Sequence, residues 1–228
     1  MNAAALPSLT VECLVNPKAN RISPYGVQRS EILGADALAL AQRELTQWQG
    51  YTMTPLNSLP ALAQAMGVAS VHYKDEGSRF GLGSFKALGG AYAVARLLCR
   101  ELGAKLGRTL GTQDLLTPEL RALCADITVT CATDGNHGRS VAWGAQLFGC
   151  QCVIYIHATV SEGRKDAIAS YGAQVVRTAG NYDDAVRQAD LDAKQYGRFV
   201  ISDTSYPGYM DVPRDVMQVY QLMVEEAA

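Results

Sequence analysis

The sequence predicts an α/β fold in which parallel strands are flanked by helices. Two observations carry that prediction. From residue 84 onward, short apolar runs alternate with longer stretches of helical spacing, and the junctions hold residues with a physical reason to start or stop a helix. The helices are expected over 84–99, 118–124, 139–148, 161–171 and 182–196. The strands are expected over 127–131, 152–156, 174–177 and 199–202, and their near-continuous apolar character is that of strands buried on both faces. Asn181 can cap the helix that follows it, Asp183 and Asp184 complement the positive end of its dipole, and Gly197 can take the left-handed conformation that ends it. Gly172 can end the preceding helix in the same way. The stretch 103–125, with Gly107, Gly111 and Pro118 among leucines, reads as a connecting excursion around its short helix. Ahead of this alternation the signals thin out. Leu38, Ala41, Leu45 and Trp48 share one helical face over 34–48, 54–66 reads as a turn leading into a helix that ends near Gly67, and 70–73 is a short strand.

Composition narrows the class of function. At 228 residues, 48% hydrophobic and 18% charged, the chain can bury a substantial core. A net charge of −2 offers no electrostatic footprint for nucleic acid or an anionic membrane surface, so the expected partner is a small molecule. No stretch approaches the ~18 apolar residues of a membrane span, and the N-terminal residues lack a basic segment followed by an apolar one. The six cysteines are scattered without Cys-x-x-Cys spacing, which fits a reducing cytoplasm. His137, His157 and the cysteines lack metal-ligand spacing, so no metal is expected. No phosphate loop occurs, and Lys86 stands where the third glycine of a dinucleotide fingerprint would be.

Two motifs carry chemistry. The first is Gly83-Ser84-Phe85-Lys86. A lysine amine is ordinarily protonated at neutral pH and becomes a nucleophile only in a dry setting or beside another cation, and Leu82, Phe85, Ala87, Leu88 and Ala91 can supply the former. Ser84 can cap the helix that Lys86 enters. The second is Thr133-Asp134-Gly135-Asn136-His137-Gly138-Arg139, set between an expected strand and an expected helix. That is where ligands gather at the carboxyl ends of parallel strands, and where first-turn N–H groups can hold an anion. Taken singly, each also fits an ordinary element, a surface lysine or a βα turn. Their pairing in this order points to a site.

The pair resembles the fold type II family of pyridoxal phosphate (PLP) enzymes. With Ser84-Phe85-Lys86-Ala87-Leu88-Gly89-Gly90 before it and Ser202-Asp203-Thr204-Ser205-Tyr206-Pro207-Gly208 after it, Asp134 makes the string similar to the diaminopropionate ammonia-lyases, since threonine and serine dehydratases usually carry serine there. The resemblance implies that Lys86 carries PLP covalently, that Phe85 and Asn136 contact the cofactor, and that Thr133, Asp134, Gly135 and His137 grip the substrate carboxylate. It also implies that Asp134 abstracts the α-proton of a D-enantiomer while Lys86 serves the L-enantiomer. Asp203 matches a second acidic residue of that family's site; on its own it also fits an Asx-turn at a strand end. A carboxylate at Asp134 would repel a substrate carboxylate unless a positive group offsets it, and 2,3-diaminopropionate brings a β-ammonium group. The implied reaction is α,β-elimination to pyruvate and ammonia. A serine or threonine dehydratase-like lyase and a non-catalytic remnant acting as a binding module stand as alternatives. By the same resemblance, residues 1–86 with 198–228 form an incomplete large PLP domain and 87–197 a small α/β domain. The second large-domain half, with its phosphate cup, is expected to be missing, and the completed protein is expected to be a homodimer. The helical stripe Val216, Val219, Tyr220 and Met223 is then expected to lie exposed for that absent half.

Overall fold

The computed structural model describes residues 14–20 and 22–228, so Cys13 and the start of the N-terminal stretch lie outside the described residues. Helices α1 (Val27–Leu33) and α2 (Ala35–Leu45) come first, followed by strand β1 (Leu56–Ser58), helix α3 (Pro60–Met66) and strand β2 (His72–Lys74). Strands β1 and β2 pair antiparallel as a small separate sheet. Helix α4 (Lys86–Leu106), helix α5 (Pro118–Cys124) and the alternating unit β3 (Thr128–Thr133), α6 (Asn136–Phe148), β4 (Gln151–Ile156), α7 (Glu162–Ala169), β5 (Gln174–Arg177), α8 (Tyr182–Tyr196) and β6 (Phe199–Val200) follow. Helix α9 (Asp211–Glu225) comes last.

The main sheet is parallel throughout, in the order β5-β4-β3-β6. Its two faces are covered differently. Val129, Cys131, Ile154 and Ile156 face a core shared with α4, α6 and α9, whereas Val153 and Tyr155 face Ala185 and Ala189 of α8. The period-2 alternation of a strand with both faces buried makes that division. Because the chain runs outward from β3 to β4 and β5 and then returns to place β6 on the far side of β3, the strand order reverses between β3 and β6. A crevice opens at the carboxyl ends of strands at such a reversal.

Helix α8 has the expected bounds. Asn181 accepts from the Asp184 N–H at 3.1 Å, Asp184 reaches back to the Asn181 N–H at 2.8 Å, and Gly197 closes the helix at φ 64°. Elsewhere the structure corrects expectations. Helix α4 starts at Lys86 and runs on to Leu106, where Gly107 takes φ 66°. Residues 56–58, read as a turn, pair with β2. The Val216 stripe does not lie exposed: Val216 and Val219 are at most 1% exposed and Tyr220 and Met223 are partly buried, because α9 packs on α2 and α4 of this same chain. Among the described residues no helix is long and apolar enough to cross a membrane, and no cluster of potential ligands could hold a metal ion.

Close packing of α4 on α6 sets the distance between their amino ends. A Cβ on Gly144 would lie 2.7 Å from the Ala91 Cα, and one on Gly90 would lie 2.7 Å from the Ser140 Oγ. Ser140 joins the helices directly, accepting from the Ala91 N–H at 3.0 Å and donating to the Ala87 carbonyl at 3.2 Å. In a free helix, replacing glycine gains up to ~1 kcal/mol. Here overpacking costs about 1–3 kcal/mol and dominates. Gly144→Val is therefore expected to lower the thermal midpoint by several degrees, and an unchanged midpoint would show slack between α4 and α6.

Candidate active site

The crevice between β3 and β6 is a cleft of about 450 Å³ into which the amino ends of α4 and α6 both point. All eight residues singled out in the sequence line it: Phe85 and Lys86 from α4, Thr133 to His137 from the β3–α6 turn, and Asp203 from beyond β6. Three further residues join them from outside those motifs, Ala132, Arg164 and Tyr182, and Ser84 contributes as well.

The lysine is held by charge. Lys86 Nζ lies 2.5 Å from Asp203 Oδ2 and 5.6 Å from the centre of the Phe85 ring. Its backbone N–H donates to Ser84 Oγ at 3.2 Å, although the residue at the helix cap position is Phe85 and not Ser84. Asp203 in turn is placed by Tyr209, whose hydroxyl donates to the Val200 carbonyl and accepts from the Ser202 N–H, both at 2.8 Å. His137 is buried against the same carboxylate, with Nδ1 3.7 Å from Asp203 Oδ2, while Nε2–H donates to the Ile201 carbonyl at 2.9 Å. That leaves Nδ1 without a hydrogen-bond partner among the described residues. Burial pushes the imidazole below its ordinary pKa, although Asp203 works the other way. For Asp203, burial alone would raise the pKa, yet neighbouring positive charge outweighs it and holds the carboxyl below its usual range. The groups that hold it down are His137, 3.7 Å away, and Lys86, 2.5 Å away.

The turn is shaped by Thr133. Its buried hydroxyl accepts from the N–H groups of Gly135 at 3.0 Å and Gly138 at 3.1 Å. Gly138 must lack a side chain here, since a Cβ would stand 2.3 Å from Thr133 Cγ2. The N–H groups of Asn136 and His137, in the first turn of α6, have no partner among the described residues and face an anion-ready space. The Asp134 side chain is exposed and accepts no hydrogen bond among the described residues. Its carbonyl instead accepts from Arg164 Nη1 at 3.3 Å.

An amine nucleophile opposite an anion-binding turn, at the switch point of a parallel sheet, is the layout of an enzyme that works through a carbonyl cofactor. The chain belongs to the pyridoxal-phosphate dependent enzyme family, whose model matches residues 47–227. It is 40% identical to the diaminopropionate ammonia-lyase of Escherichia coli (strain K12) over 203 residues, 89% of this chain and 50% of that protein. Identity to the Salmonella typhimurium diaminopropionate ammonia-lyase is 42% over 177 residues, 78% of this chain and 44% of the relative. The crystal structure of the E. coli lyase in complex with an aminoacrylate-PLP azomethine reaction intermediate superposes with a TM-score of 0.76 at 40% identity, covering 86% of this chain and 48% of that one. The chain thus spans about half the length of the curated relatives it matches. Pyridoxal 5'-phosphate is the cofactor of the family, and the site fits it. Lys86 Nζ suits its aldehyde, and Asn136 with the free N–H groups of α6 suits an anionic oxygen.

Proposed function

We propose that the protein carrying this chain is a diaminopropionate ammonia-lyase, converting 2,3-diaminopropionate and water to pyruvate and two molecules of ammonia. The observation that carries this reading is the presence of two proton-transfer groups of opposite charge, Lys86 and Asp134, in one cleft. PLP, when bound, supplies the electron sink that lets the bond to the α-proton break. Lys86 holds the cofactor and takes the α-proton of the L-enantiomer. Asp134, whose carboxylate accepts no bond among the described residues, is free to take that of the D-enantiomer. Asp203 fixes the Lys86 amine at 2.5 Å until the cofactor arrives. Phe85 and Asn136 contact the cofactor, and the Thr133, Gly135 and His137 stretch of the turn receives the substrate carboxylate.

In the same reading, residues 1–86 with 198–228 belong to the large PLP domain and 87–197 form the small one, the completed protein is a homodimer, and its role is amino-acid catabolism in the cytoplasm. The cytoplasmic assignment is supported by the unpaired thiols of Cys99, Cys124, Cys131, Cys150 and Cys152. A pyruvate assay on the full-length protein with diaminopropionate, serine and threonine tests the reaction. Diaminopropionate is expected to be turned over fastest, and a preference for a hydroxy amino acid would replace this reading with a dehydratase. In the same assay Asp134→Asn is expected to lower turnover of the D-enantiomer by roughly 10²- to 10⁴-fold and that of the L-enantiomer far less. Equal losses would make Asp134 an electrostatic partner of the β-ammonium group and not a base.

A further inference from the structure

We infer that Arg164 is a specificity-determining residue that reads the carboxylate of the amino-acid substrate, an assignment that rests on the reaction proposed above and names a second reader of its substrate. The cleft is lined by two cations, Lys86 and Arg164, and two carboxylates, Asp134 and Asp203. Lys86 and Asp203 are committed to one another at 2.5 Å. Asp134 and Arg164 are left, and they set the field a ligand meets on entering. A carboxylate received by the β3–α6 turn passes the Asp134 charge, and Arg164 is the group placed to offset it.

Its position is built. Arg164 stands in the first turn of α7, where its N–H donates to the capping Ser161 Oγ at 3.4 Å. From there the side chain lies along the backbone of the β3–α6 turn. Its Cδ and Nε come within 3.6 and 3.8 Å of where a Gly135 side chain would begin, and Nη1 donates to the Asp134 carbonyl. That bond uses one donor. Among the described residues the guanidinium makes no other hydrogen bond and no salt bridge, whereas Arg79, Arg100 and Arg177 are each bonded to a carboxylate. The arginine lies at van der Waals distance from the turn, and a planar fork with unused donors matches a carboxylate.

The test uses the full-length protein loaded with PLP, with Arg164→Gln and Arg164→Lys as variants. Binding is read from the absorbance change of the cofactor with L-alanine, which has the carboxylate and α-amine but no β-leaving group, and with ethylamine, its counterpart without the carboxylate. Arg164→Gln is expected to weaken alanine binding about tenfold, the scale of one charge-assisted hydrogen bond, while leaving ethylamine binding unchanged. Arg164→Lys, which keeps the charge and loses the fork, is expected to fall between. With diaminopropionate, KM is expected to rise by a similar factor while kcat stays within about twofold. Unchanged alanine binding overturns the assignment. So does an equal loss for alanine and ethylamine, which would make Arg164 a structural support, and so does a wild-type protein that does not distinguish the two ligands. A wild-type protein that binds alanine through Arg164 but does not release pyruvate from diaminopropionate would instead overturn the proposed reaction and leave the Arg164 assignment standing.

Discussion

Lys86→Ala is expected to abolish the fixation of PLP to this chain by borohydride, and peptide mapping of the reduced wild-type protein is expected to place the adduct on Lys86. Geometry sets two other lysines aside. Lys74 Nζ is tied to Glu226 and to the Thr54 carbonyl, both at 2.7 Å. Lys105 lies in the last turn of the same helix as Lys86, so at 1.5 Å rise per residue it sits roughly 28 Å away. Among the described residues Lys86 is the one lysine that lines the cleft, where it is paired with Asp203 and shares the lining with the first turn of α6. Turnover in the full-length protein is expected to fall at least as far as the loss of a general base implies, about 10²- to 10⁴-fold, because the same side chain both holds the cofactor and moves a proton. Label on Lys74 or Lys105 equal to that on Lys86 would end the assignment.

What was legible in the sequence divides along the line between local and non-local causes. The bounds of α8 follow from Asn181, Asp184 and Gly197, residues within reach of its own ends. The end of α4 was misplaced because Gly103 does not stop a helix here. It allows the Arg108 carbonyl to approach, and a Cβ there would lie 2.8 Å from that oxygen. Strand β1 was missed because its pairing partner β2 lies beyond a whole helix, and three exposed residues carry no alternation to read. The α9 stripe shows the limit most sharply. Its spacing correctly announced a helix with one apolar face, but nothing in spacing says which surface that face meets, and it meets α2 and α4. At the site, Lys86 and the Thr133 to His137 turn were visible because each is a contiguous string. Arg164 and Tyr182 were missed because each arrives from a different strand–helix unit. A usable signal was there: both open helices that follow the carboxyl ends of parallel strands, β4 and β5, on the edge of the sheet where ligands gather.

Arg79→Met is expected to destabilise the fold by ~3 kcal/mol, a fall of roughly 6–12 °C in the thermal midpoint for a chain of this size. Arg79 is 1% exposed, five residues ahead of Ser84, in a short segment where the next residue, Phe80, takes φ 49°. Its guanidinium is bidentate to two carboxylates. It reaches Glu76 at 2.8 Å through Nε and Nη2, and Glu226 at 2.9 and 2.5 Å through Nη1 and Nη2. The Thr52 carbonyl at 3.1 Å and the Thr54 hydroxyl at 3.0 Å complete the set, so one side chain ties the segment before Lys86, the chain entering β1 and the end of α9. Burial works against its charge, but Glu76 and Glu226 prevail and raise its pKa. Removing it strands both carboxylates, and Lys74, 2.7 Å from Glu226 and 4.0 Å from Glu76, relieves mainly the former. The estimate therefore sits at the low end of the ~3–5 kcal/mol range for breaking a buried pair. Burial alone would raise the Glu226 pKa, whereas bonds from Arg79, Lys74 and Tyr51 bring it down to about 2. A depressed carboxylate contributes stability that is present above its ordinary pKa near 4.5 and is lost as pH falls toward 2. Wild-type stability should therefore decline through that window more steeply than that of Arg79→Met, which has already lost the main bond. Adding Glu226→Gln to Arg79→Met should recover part of the loss, because the second change removes the stranded charge. A double variant as unstable as the sum of the two single ones would show that Arg79 and Glu226 act independently, and the clamp would not exist.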